Sequence, residues 1–237
     1  MSELRVGLAV EGPTDALVLE AGLSSFLAHP FIAVTLQPEM PPGGTGAGWA
    51  GVFSWCRQMG SQGYPTLMDS PTLGHLDLVI IQIDADVGKM TYDSGRIEDQ
   101  PYYDLPCECP CPPASDTVDA LYNVVCGWLT PVRLGGNAVV CIPSKSIEAW
   151  VAAALYVPSD PGLGHDLECS YDVITYMLAM PARERLIRMK GGHPRKIKPR
   201  FKNAQQLIKD RWDSVCKICP QAERFQVAVE KEVGEML

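Results

Sequence analysis

Four short apolar runs, each bounded by turn-forming residues, set the layout of this chain: RVGLAV at 5–10, FIAVTLQP at 31–38, DLVIIQI at 77–83 and NAVVCIP at 137–143. Runs of this length with few polar interruptions predict strands buried on both faces, as in a parallel sheet. The segments between them read as helices. Residues 14–27 place Leu17, Val18, Leu19 and Leu23 largely on one side, and 49–60 carry Trp49, Val52, Phe53 and Trp55. SDTVDALYNVVCGWL at 115–129 predicts a helix started by Ser115 or Asp116. SKSIEAWVAAALY at 144–156 predicts another, with Ser144 or Ser146 near its N-cap. Strands alternating with helices give an α/β fold, a mostly parallel sheet flanked by helices.

Two stretches break this rhythm. PEMPPGGTGAGW at 38–49 predicts a flexible loop able to approach a ligand, and the proline-rich 87–114 a long loop. After the break PSDPGLG at 158–164 the chain turns helical and basic, ending in the amphipathic ERFQVAVEKEVGEML. The expected organisation is an α/β domain over 1–157 and a helical, basic C-terminal region over 158–237, packed on it or extending from it.

Composition changes the picture chiefly through charge. The net charge is −8, yet residues 183–211 hold eleven Lys/Arg against two acids, leaving −17 for the remainder. A solvated helical face is the ordinary source of such a run. HPRKIKPR, however, alternates base with Pro and Ile rather than with acid. Arg188, Lys190, Arg195, Lys196, Lys198, Arg200 and Lys202 are therefore the candidate phosphate contacts, with nucleic acid, DNA or RNA, as the expected partner. No apolar run approaches the ~20 residues of a bilayer span, and MSELRVGLAVEG lacks a basic n-region and cleavage site. The expected location is the cytoplasm, with no membrane partner.

Candidate chemistry sits where apolar runs end in carboxylate: Glu11 after the first, Asp84 and Asp86 after the third. Ligands of open α/β sheets gather outside the carboxyl ends of the strands, so these acids can converge. Crowded carboxylates repel unless a cation or bound protons offset them. An all-oxygen cluster suits Mg²⁺ or Mn²⁺ better than zinc, and such ions most often serve phosphate chemistry. Each motif alone has an ordinary explanation: a strand-to-helix turn for EGPTD, a polar turn for DAD, a helix-dipole partner for Glu148.

The same residues carry a family resemblance. EGPTD at 11–15, DAD at 84–86 and Ser146-Ile147-Glu148 resemble the TOPRIM module of topoisomerases, bacterial primases, a ribosomal-RNA maturase and the OLD nucleases. The layout also looks like a compact bacterial TOPRIM-like family often encoded beside an ATPase. The resemblance covers roughly residues 5–155 and implies a TOPRIM/Rossmann-like sheet with a Mg²⁺- or Mn²⁺-dependent phosphodiesterase, in the OLD branch a two-metal nuclease of bacterial defence. On this reading Asp84, Asp86 and Glu148 are metal ligands and Glu11 is a ligand or the base. Asp15, one helical turn beyond Glu11, faces the same metal. Ser146 orients a carboxylate or binds phosphate. Lys145 is the nearest candidate for neutralising charge in the transition state, with Lys190, Lys196 and Lys198 as alternatives.

OLD nucleases carry an ATPase in the same polypeptide, whereas this chain has no Gly-x-x-x-x-Gly-Lys-Ser/Thr loop. The implied partner is a separate ABC/SMC-like ATPase, and a homo-oligomer is compatible. A non-catalytic module that binds nucleic acid or docks on an ATPase is the competing expectation. A receiver-like phosphoacceptor fits less well, because its paired acids follow the first strand. The nine cysteines include CECPCPP at 107–113, whose C-x-C-x-C is not a finger spacing, and one CxxC at 216–219 with no second CxxC to partner it. Packed free thiols, not disulfides, are expected.

Overall fold

A computed structural model describes residues 3–38, 46–98 and 104–236. Most of the loop expected at 38–49, and part of that at 87–114, thus lies outside the described residues. Strands β1 (Leu4–Ala9), β2 (Phe31–Gln37), β3 (Leu78–Gln82) and β4 (Ala138–Cys141) form one all-parallel sheet in the order β2-β1-β3-β4. Helices α1 (Pro13–Phe26), α2 (Trp49–Ser61), α3 (Ser115–Leu129) and α4 (Glu148–Leu155) flank it. The α/β class and all four strands match the apolar runs. The path from β1 moves outward to β2 and then back across to β3. β1 and β3 therefore border the topological switch point, where a crevice opens at the carboxyl edge.

The strands read as continuous apolar runs because both faces are covered. Leu78 and Ile80 of β3 join a core with Val6, Leu8, Leu19 and Trp150, while Val79 and Ile81 join another with Phe53, Leu121, Val125 and Trp128. Alternation of side chains across the pleat feeds both layers from one strand. Truncating the fully buried Ile80 to alanine is expected to cost about 2–5 kcal/mol.

Beyond residue 164 the expectation of continuous helix needs correction. After α5 (Val173–Ala179), strands β5 (Ile187–Lys190) and β6 (His193–Lys196) form an antiparallel hairpin. Its turn is Gly191-Gly192, with φ of 60° and 78°. A two-residue hairpin turn of this hand requires positive φ at both positions, which glycine supplies without strain. Helices α6 (Lys198–Asp210), α7 (Trp212–Ile218) and α8 (Pro220–Met236) then pack back on the sheet's helices. Trp212 lies edge-on to Trp150 with ring centroids 5.7 Å apart. It also lies so close to Gly22 of α1 that a Cβ there would come within 2.7 Å of the indole. Leu8, Trp150, Trp212 and Phe225 belong to one core, which crosses the break at 158–164.

The expectation of serine capping also changes. Helix α4 begins only at Glu148 with Ile147 as its N-cap; α3 starts at Ser115 as expected, but its N-cap is Ala114, and no serine side chain caps either helix. Gly12 has φ −156°, extended backbone open to any residue, so Pro13 at the first helical position sets the start of α1. Among the described residues no helix is long and apolar enough to cross a membrane.

Candidate functional site

The ends of β1, β3 and β4 are tied together by a polar residue inside an apolar strand. Gln82 is fully buried; its Oε1 accepts the Glu11 amide at 3.3 Å, and its Nε2 donates to Asp84 Oδ1 at 2.9 Å. The Asp84 amide returns a bond to Glu11 Oε1 at 2.7 Å. On the other side, Ala85 and Asp86 amides donate to the carbonyls of Pro143 and Lys145 at 2.9 and 3.1 Å. The Ile147 amide donates to Asp84 Oδ1 at 3.0 Å. Glu11 and Asp84 therefore face each other across the switch point. Asp86 follows in a 3₁₀ turn, Ala85–Lys89.

Asp15 and Glu148 enter from the first turns of α1 and α4, and both side chains are buried. Between them stands Lys196, the last residue of β6. Its Nζ lies 2.6 Å from Asp15 Oδ1 and 2.6 Å from Glu148 Oε1. The lysine side chain is 33% exposed while its partners are 3% and 2%, so the stem reaches solvent and the ammonium points inward.

Five carboxylates against one ammonium leave the cluster short of positive charge. Burial pushes Glu11 up to about 8, with the charges of Asp15 and Asp86 adding to the rise. Burial and then Glu11, Asp15 and Glu148 hold Asp84 well above the carboxylate range. Asp86 rises to about 6 by burial against the pull of Lys89, and Asp15 rises by burial against the pull of Lys196. Desolvation works against the Lys196 ammonium, but Glu148, Asp15 and Asp84 hold its pKa well above the usual lysine value.

All five acids of the sequence reading thus gather at one edge of the sheet. Their oxygens are not preset around a point: among the described residues no three Asp, Glu, His or Cys side chains are disposed as metal ligands. Glu11 is drawn to the Asp84 amide, and Asp15 and Glu148 to Lys196. The donor set itself, all oxygen and strongly anionic, fits a hard divalent ion.

Lys145 is held elsewhere. It has φ 58°, and its Nζ donates to Glu108 Oε1 at 2.7 Å and Tyr171 Oη at 3.1 Å. The Tyr171 hydroxyl also donates to Glu108, and the hydrogen bond from Lys145 holds Glu108 below the usual carboxylate range. Ser146 is half-buried; its amide donates to the Ser144 carbonyl and its carbonyl accepts the Ala149 amide. Of the candidate phosphate contacts, Arg188, Lys190 and Arg195 are exposed on the hairpin, Lys198 and Lys202 on α6. Arg200 instead donates to the carbonyls of Ala182 and Arg185, both at 2.6 Å, and holds that turn.

The expectation of free thiols is corrected at one pair. Cys111 and Cys169 are disulfide-bonded with Cα atoms 5.4 Å apart, and the other seven cysteines are free. The spacing in sequence gave no hint, because 58 residues separate the partners. Gln82 carried a readable signal, a lone amide in an otherwise apolar strand, whereas Glu108 and Tyr171 carried none. Compared with known proteins, the chain matches no family model, no curated protein and no solved structure.

Proposed function

We propose that the chain is a TOPRIM-like nuclease that hydrolyses phosphodiester bonds with Mg²⁺ or Mn²⁺. The observation that carries this reading is the concentration of Glu11, Asp15, Asp84, Asp86 and Glu148 at a switch point, where burial and neighbouring charge raise the pKa values of Glu11, Asp15, Asp84 and Asp86 and a distant lysine is drawn in. Strong mutual perturbation in a crevice is a mark of functional acids. These five residues would hold the ion, and when bound it supplies charge stabilisation at the phosphoryl oxygen and a more acidic attacking water. Glu11 serves as a ligand or accepts the proton of that water at its carboxylate. The exposed Arg188, Lys190 and Arg195 bind backbone phosphate beside the crevice, independent of base sequence. The resemblance adds a role in a bacterial defence or toxin system and a separate ATPase partner.

One observation favours the second reading, a non-catalytic module binding nucleic acid or an ATPase: Lys196 fills the gap between Asp15 and Glu148. Incubation with plasmid DNA and total RNA in Mg²⁺, Mn²⁺ or EDTA, with and without a neighbouring ATPase, separates the two. Divalent-dependent cleavage is expected. Binding without cleavage in every condition would leave the module reading.

A further inference from the structure

Lys196 connects the most basic exposed element of the chain to its most acidic crevice. Resting on the metal-dependent reading above, we propose that Lys196 is a displaceable counter-ion. Its ammonium and a divalent ion exclude one another between Asp15 and Glu148, so that metal entry moves the β5–β6 hairpin.

The geometry argues for exclusion. The ammonium sits 2.6 Å from one oxygen of each carboxylate, so those oxygens cannot be more than about 5.2 Å apart. A hard ion bridging the same pair at about 2.0–2.2 Å would occupy the same gap. Two cations there would repel at close range in a poorly screened site.

The hairpin is also built to let go. Within it only Ile187 is buried; Arg188, Met189, Lys190 and all of β6 are exposed. Its base is fixed by the Ile197 amide donating to the Leu186 carbonyl at 2.8 Å and by Arg200 on the 182–185 turn. The Lys196 stem is already partly in solvent, so the ammonium can withdraw without unpacking a core. Lys196 also borders the groove lined by Arg188, Lys190 and Arg195, where a bound phosphate becomes the withdrawn ammonium's new partner. Metal loading and phosphate binding would then support each other through one side chain.

The test is MnCl₂ titration calorimetry on the full chain and on Lys196→Met, with Lys209→Met, an exposed lysine of α6, as the control. Amide hydrogen exchange of residues 187–196 in the parent is followed with and without Mn²⁺. Lys196→Met is expected to bind Mn²⁺ roughly tenfold or more tightly than the parent, and Lys209→Met to bind like the parent. The hairpin amides of the parent should exchange faster in Mn²⁺. Equal or weaker binding by Lys196→Met, with the parent still binding, would overturn the exclusion and leave the metal reading intact. Absence of Mn²⁺ binding by both would remove the metal reading and the exclusion with it. Should Lys196→Met fail to fold, unchanged hairpin exchange in the Mn²⁺-saturated parent overturns the proposal.

Discussion

Two lysines near the carboxyl edge of the sheet have opposite surroundings. Lys145 stands in the turn between β4 and α4, beside the acids in sequence, yet its ammonium is bound to Glu108, which is 30% exposed, and to the Tyr171 hydroxyl. Lys196 is 181 residues from Asp15 in the chain, yet it lies between that residue and Glu148, both buried. Sequence proximity selected the first lysine as the catalytic candidate; the geometry favours the second. An ammonium is held where carboxylates are buried and crowded, because there its removal leaves uncompensated charge. The Lys145 side chain is itself buried, but it meets a single, partly exposed carboxylate, so less buried charge is left uncompensated when it is removed.

The largest expected effect breaks the acid side of this contrast. Asp84→Asn keeps an oxygen to accept the Ile147 and Gln82 bonds but removes the charge. Divalent-dependent cleavage should fall by about 10³-fold or more, the loss of several kcal/mol of metal-borne charge stabilisation. Asp86→Ala should behave alike. Metal-free thermal melting should be unchanged or raised, because repulsion is relieved. Full activity in either variant would refute their assignment.

Next in size is the disulfide, which belongs to the Lys145 corner. Cys111 lies three residues beyond Glu108, and Cys169 two before Tyr171, so the bridge joins the two segments that hold Lys145. Loop-closure entropy for a separation of 58 residues gives about 4 kcal/mol. Cys111→Ser with Cys169→Ser should therefore lower the melting temperature by about 10 °C, with Mn²⁺ affinity unchanged. A large loss of Mn²⁺ binding would show that the two lysine sites are coupled.

The acid cluster should also govern stability against pH. Glu11 and Asp86 have folded values of about 8 and about 6, above ordinary values of 4.5 and 3.8. The folded state then binds more protons than the unfolded state. The resulting stabilisation is complete below the ordinary values and is lost as pH rises through the folded ones. Buried Glu168, which accepts the Trp150 indole N–H and is raised by burial to about 7, acts in the same direction. Metal-free protein should lose on the order of a few kcal/mol between about pH 4 and 8, read by denaturant melts. Saturating Mn²⁺ should flatten the part due to Glu11 and Asp86. A flat metal-free profile would contradict the account.

The smallest expected effect compares the lysines directly. At saturating metal, Lys196→Met should slow cleavage by about a hundredfold, as for loss of one cationic group from the bound phosphate. Lys145→Met should change it by no more than roughly threefold, because its ammonium is bound to Glu108 and Tyr171 and not to the acid cluster. The reverse ranking would assign the charge-neutralising role in the proposed reaction to Lys145.

Much of this frame was legible in the sequence. The strands were readable because two-sided burial leaves continuous apolar runs, and their terminal acids because a parallel sheet directs them to one edge. The hairpin was missed: HPRK carries proline and no apolar alternation, and its strands pair with each other without burying a face. The insertion of Lys196 was not readable, because nothing local to KIK records which buried carboxylates attract it. Cys111–Cys169 likewise depends on tertiary approach of distant segments.

The most direct measurement is anomalous diffraction from a crystal grown or soaked with Mn²⁺. The account predicts a peak bounded by Asp84 and at least two of Glu11, Asp15, Asp86 and Glu148, with the Lys196 ammonium withdrawn from between Asp15 and Glu148. A crystal with Mn²⁺ bound elsewhere, an empty crevice, and Lys196 still spanning those two carboxylates would contradict it.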